Sequence, residues 1–129
     1  MRVLLGQNSQ YYPAYGGGDR SNRLLMEALA RCSHDCFVLA RAADRVSLEV
    51  HTSYLEQLSR RGIQPQEAAG AVEFTLNGVN VRVVTQRPDF RACFREFLAR
   101  VDPDVVVLST DDPAVLLLEV ALEHPTARV

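Results

Sequence analysis

The run Val105-Val106-Val107-Leu108-Ser109 constrains the fold more than any other stretch of the chain. A continuous β-branched segment of this kind reads as a strand buried on both faces, and such strands belong to parallel sheets covered by helices on each side. Its neighbours agree. Upstream, Phe90, Cys93, Phe94, Phe97, Leu98 and Val101 recur at helical spacing over 89–101, with Arg91, Arg95, Glu96 and Arg100 facing away. Downstream, Pro113 suits the first turn of a helix over 113–123.

The same alternation runs back to the N-terminus. "RVLLG" (2–6) reads as a short buried strand and "CFVLA" (36–40) as a second. Between them Leu24, Leu25, Ala28 and Leu29 mark the apolar face of a helix, with Arg23, Glu27 and Arg31 opposite and Ser21 or Asp19 as its N-cap. A helix is expected over 44–61 with Val46, Val50, Tyr54 and Leu58 on one stripe, and a loop over 60–70. "VEFTLNGVNVRVV" (72–84) is a hairpin signal, because Asn77-Gly78 favours a type I′ turn. The order β-α-β-α-β-hairpin-α-β-α-β predicts an α/β, Rossmann-like domain over 1–129. Its sheet is expected to be mainly parallel, with helices on both faces and one β-hairpin. Helix 113–123 is apolar nearly all round and "PTARV" (125–129) reads as the start of a further strand. The domain is therefore expected to be truncated, a piece of something longer or half of an assembly.

Composition excludes several classes. A formal net charge of −2, with all basic residues arginine and none clustered, leaves no footprint for nucleic acid or an anionic membrane. The N-terminus lacks a signal-peptide core, and no apolar run reaches the length of a membrane span. Three cysteines at irregular spacing argue against a disulfide framework, so a reducing, cytoplasmic setting is expected.

Gly16, Gly17 and Gly18 lie between the first strand and its helix. Three successive glycines weaken both regular structures, so either the chain turns there or something approaches its backbone closely. The first strand–helix connection of a parallel sheet is the favoured phosphate site, where free N–H groups and the helix dipole attract an anion. The local pattern is neither G-x-G-x-x-G nor a P-loop.

The segment "MRVLLGQNSQYYPAYGGGDRSNRLLMEALARCSHDCFVLA" resembles the N-terminal part of GT-B-fold glycosyltransferases of the glycogen- and sucrose-synthase type, the glycosyl transferases group 1. Tyr12, Pro13, Gly16 and Gly17 match that family's glycine loop, and Leu29 with His34 matches its helix end. Cys32 and Ser33 replace the usual small-Gly pair. "NGVNVRVV" and "PDVVVLSTDDPAVLLLEVAL" resemble its third and fourth strand regions. The resemblance implies retaining transfer of a sugar from a nucleotide-diphosphate sugar to an acceptor, in a cleft between two domains. This chain would supply the acceptor side, with Gly16, Gly17 and Gly18 near the donor diphosphate and Asp19 and Arg20 as neighbours. Backbone N–H donors would stabilise the charge growing on the leaving group. Nucleotide recognition would belong to a C-terminal domain, no cofactor or metal is implied, and the isolated chain would be inactive. A reading from another class is a non-catalytic α/β interaction module that self-associates through helix 113–123 or the edge at 125–129.

Other clusters have plainer readings. "CSHDC" (32–36) invites a metal but lacks a paired second motif, and a helix–strand junction, with Cys36 starting the strand and His34 capping the turn, explains it without one. Asp102-Pro103-Asp104 has acid-x-acid spacing yet sits where proline and aspartate routinely punctuate a boundary. Of Asp111 and Asp112, at a strand's carboxyl end, one caps the following helix and Asp111 is a candidate for acceptor binding. Tyr11, Tyr12 and Tyr15 either stack on a ligand ring or pack the long loop. His34, His51 and His124 form no pattern of nucleophilic catalysis.

Overall fold

The computed structural model of the chain describes residues 1–109, 112, 115–125 and 127–129. The short apolar runs form strands β1 (Arg2–Gly6) and β2 (Asp35–Arg41), the edge strand β3 (Gln66–Ala68), the hairpin β4 (Ala71–Leu76) and β5 (Val79–Val84), and β6 (Val105–Leu108). The amphipathic stretches form α1 (Gly17–Arg31), α2 (Leu48–Arg60), α3 (Phe90–Val101) and α4 (Leu116–Leu122).

All six strands make one sheet in the order β3-β4-β5-β2-β1-β6. The pairs β5/β2, β2/β1 and β1/β6 are parallel, whereas β3/β4 and β4/β5 are antiparallel. The sheet is therefore mixed, three parallel pairs to two antiparallel among the described residues, and fits the expected mainly parallel sheet only in part. The hairpin reverses the chain, and Gln66–Ala68, expected to be loop, adds a further edge strand against β4. At the hairpin turn Asn77 (φ 49°) and Gly78 (φ 83°) both take positive φ, as a type I′ turn requires.

Strand alternation divides the core in two. Val3, Leu5, Cys36, Val38, Val79 and Val81 pack with Met26 of α1 and with Tyr54 and Leu58 of α2. Leu4, Leu39 and Val106 pack on the other face with Phe94 and Phe97 of α3 and Leu117 and Val120 of α4. Helices thus cover both faces. Gly6 allows α3 to approach β1 closely: a Cβ there would stand 2.8 Å from Phe94 Cε1 and 3.1 Å from Leu108 Cδ2. No helix among the described residues is long and apolar enough to cross a membrane.

Several expectations shift once the layers are assembled. β6 borders the sheet, met on its outer side among the described residues by a single parallel bridge from Val105 to Arg128, and only Val106 of the strand is buried. Helix α1 is rotated from its expected orientation: Leu24 (49 %) and Leu25 (44 %) are exposed, while Met26 and Glu27 are buried. The helix lies over β2 and β5, where the Glu27 carboxylate accepts hydrogen bonds from Arg23 Nη1 (2.9 Å) and Asn77 Nδ2 (2.8 Å). Gly16 is its N-cap, without a side-chain cap, so neither Ser21 nor Asp19 fills that role. α2 begins after Ser47, whose hydroxyl accepts from Val50 N, and Val46 packs instead in the core of the opposite face.

Candidate functional site

In a parallel sheet, ligands bind beyond the carboxyl ends of the strands where neighbouring connections run in opposite directions. Here that point lies between β1 and β6. The chain leaves β1 through α1 towards β2, whereas it leaves β6 through α4 towards Arg128 on the other side.

Gly16, Gly17 and Gly18 are exposed at this end, at the start of α1. None of the three has positive φ. A Cβ on Gly17 or Gly18 would meet nothing within 4 Å, and one on Gly16 would meet only Asp19 Oδ2 at 3.8 Å. Neither turn geometry nor internal packing therefore calls for glycine here. What the three residues produce is an uncapped helix N-terminus with a bare backbone facing open space.

A polar cluster holds that terminus on the sheet. Gln7 is fully buried directly after β1, and its Nε2 donates to Gln10 O and to Asp19 Oδ1, both at 3.0 Å. Ser9 Oγ donates to the same Asp19 oxygen at 2.8 Å. Asn22 Nδ2 reaches Gln7 Oε1 at 3.0 Å and Ser109 Oγ at 3.2 Å, which ties α1 to the end of β6. Asp19 thus anchors the loop, while Arg20 is exposed and offers its charge to solvent. Asp111 lies outside the described residues. Asp112 caps α4, its carboxylate accepting from Leu117 N (3.0 and 3.1 Å) and Leu118 N (3.1 Å).

Two features were not legible as a site in the sequence. Gln7-Asn8-Ser9 follows the first strand at once, and a polar triplet at that position was the available signal. Arg41, the last residue of β2, lines a crevice of about 260 Å³ with Asn8, Phe90, Arg91 and Leu117. A larger cavity, about 720 Å³, lies towards the amino ends of the parallel strands, between α3 and the uncovered face of the hairpin. There Glu73 accepts from Arg82 and, at 3.1 Å, from Arg100. Partial burial pushes the Glu73 carboxyl up, but the two arginine hydrogen bonds outweigh it and hold it below its ordinary value. The polar faces of antiparallel strands normally face water, so the carboxyl-end rim is the better candidate despite its smaller crevice.

The remaining candidates serve the fold. Tyr11 is fully buried, Tyr12 accepts from Tyr54 Oη through its carbonyl (2.6 Å), and only Tyr15 is widely exposed, its hydroxyl 3.1 Å from Gln57 Oε1. Cys32 is exposed whereas Cys36 sits in the core, where burial pushes its thiol up. No group of three metal-capable side chains gathers among the described residues. Asp102 ends α3 in a left-handed conformation and meets His124 Nε2 at 3.1 Å, and Asp104 accepts from Arg2 N at 2.8 Å. His51 makes contacts the sequence did not suggest: Nδ1 is 2.6 Å from Thr85 Oγ1 and Nε2 2.5 Å from Glu67 Oε1. Thr85 is fully buried, and the trio braces α2 against β3.

Comparison with protein-family models, with curated proteins and with solved structures finds no match.

Proposed function

We propose that the chain is the acceptor-side domain of a retaining glycosyltransferase that moves a sugar from a nucleotide-diphosphate sugar to an acceptor. The observation that carries this reading is the uncapped terminus of α1 at the carboxyl end of β1, where Gly16, Gly17 and Gly18 have no conformational or packing reason to be glycine. A diphosphate could approach these N–H groups without meeting a side chain, and donors placed where negative charge develops lower the barrier to its departure. Gln7, Ser9 and Asn22 hold the terminus in place through Asp19 and Ser109. Nucleotide recognition and the rest of the cleft fall to a second domain in this reading, and the chain needs no metal.

The test is release of nucleoside diphosphate from a panel of nucleotide-diphosphate sugars by the protein as its gene encodes it. Release from at least one donor is expected, falling about tenfold or more in a Gly17→Ala/Gly18→Ala variant, since small displacements of reacting groups are costly. Silence with every donor, or a variant as active as the parent, refutes the reading.

Exposure of Val115 (48 %) and Leu122 (65 %) at the two ends of α4 supports a second reading, a non-catalytic module that self-associates through that helix. Light scattering decides it: Leu122→Glu should convert a dimer to a monomer, and a parent that is monomeric at high concentration removes the idea.

A further inference from the structure

We propose that the crevice between the carboxyl ends of β1 and β2 and the first turns of α3 and α4 binds the carboxylate or phosphate of a small hydroxylated molecule, with Arg41 as counter-ion. The proposal stands whether or not the chain takes part in sugar transfer. Arg41 projects from the end of β2, and its guanidinium carbon lies 5.2 Å from the centroid of the Phe90 ring. Its Nε is inaccessible to solvent and has no hydrogen-bond partner. Neighbouring arginines are committed: Arg91 pairs with Glu119 at 3.0 Å, Arg95 with Glu123 at 3.3 Å and Arg87 with Glu96 at 2.5 Å. Arg41 belongs to none of the ion pairs among the described residues. Asp89 also lines the crevice; its Oδ1 accepts from Ala92 N at 3.0 Å, and it forms no ion pair with Arg41.

A half-buried guanidinium without a carboxylate is costly unless something supplies the missing acceptor. The Phe90 ring supports one face of the guanidinium plane and so leaves its edge for a bidentate oxyanion, the geometry arginine recognises best. Asn8 supplies the second clue. Its Oδ1 is likewise buried without a partner, and it lines the same crevice. An unfilled acceptor beside an unfilled cation calls for a ligand with an O–H close to its anionic group. A volume of about 260 Å³ suits a small ligand or one end of a larger one.

The experiment titrates the protein with inorganic phosphate, acetate and glycerol 3-phosphate at constant ionic strength, following the Arg41 Nε–H resonance by NMR and affinity by calorimetry. A saturable shift with phosphate or acetate is expected, the tighter of the two naming the anion. Arg41→Met should weaken it about tenfold or more. Glycerol 3-phosphate should bind more tightly than phosphate, and Asn8→Ala should remove that advantage. The absence of a saturable shift with any of the three, or unchanged affinity in Arg41→Met, overturns the proposal. Should Arg41→Met fail to fold, the resonance of the parent protein decides alone. No sugar donor is involved, so this result and that of the transfer assay are separately readable.

Discussion

Replacing Gly17 and Gly18 by alanine separates a structural role from a ligand-binding one. Both residues are helical, neither has positive φ, and an added methyl group would meet nothing within 4 Å. Under those conditions alanine stabilises by restricting the unfolded chain, by about 0.4–1 kcal/mol per site. The pair should therefore add about 1–2 kcal/mol. With an unfolding entropy of about 2.1 cal/mol/K per residue, a chain of 129 residues should melt about 4–7 °C higher. Urea denaturation followed by circular dichroism measures the free energy, and calorimetry the midpoint. Gly6→Ala is the control, because its methyl would stand 2.8 Å from Phe94 Cε1 at the contact between α3 and β1. That overpacking should cost about 1–3 kcal/mol. A double alanine variant less stable than the parent by more than about 1 kcal/mol would refute the reasoning, since the glycines would then be needed by the fold. A variant that is more stable yet inactive would place their purpose outside the fold, at whatever meets the bare backbone.

Other outcomes follow from buried polar contacts. Glu27→Ala leaves Arg23 and Asn77 without their shared acceptor on the buried side of α1. A loss of about 2–3 kcal/mol is expected in chemical denaturation, less than for a fully enclosed pair because Arg23 reaches water. Glu73 has a carboxyl held below its ordinary value by Arg82 and Arg100. Its contribution is therefore full above the usual glutamate range, near pH 4.3, and is lost as pH falls through the lower folded value. Glu73→Gln should flatten the acid limb of a stability–pH profile, and an unchanged limb would argue against the pairing. Asp112→Ala removes the carboxylate that accepts from Leu117 N and Leu118 N. It should cost about 1 kcal/mol, with faster hydrogen exchange confined to α4.

The candidate site was only half legible. The three glycines announce themselves, and their position after a first strand points to the carboxyl end of a sheet. The residues that hold them do not. Gln7, Asn22 and Ser109 converge from three elements distant in sequence, and no spacing rule reports a contact that strand order creates. Asp19 looked like a ligand group or a cap, and is instead an internal acceptor for Gln7 and Ser9. Arg41 and Asn8 are ordinary residues at strand ends until the fold places them in one crevice.

By itself the sequence determined the local elements: the two-sided helix over Phe90–Val101, the Asn77-Gly78 turn and the alternation of strands with helices. These depend on periodicity and on backbone preferences that neighbouring residues carry with them. Tertiary structure decided which faces are buried. Leu24 and Leu25 stay exposed while Glu27 turns inward, because α1 packs towards the hairpin, where Asn77 waits as a partner. Gln66–Ala68 becomes a strand because β4 offers it a ladder, not because of any preference of its own. β6 lies at the border of the sheet despite its valines, since strand order is set by how the layers close, and no single segment contains that information.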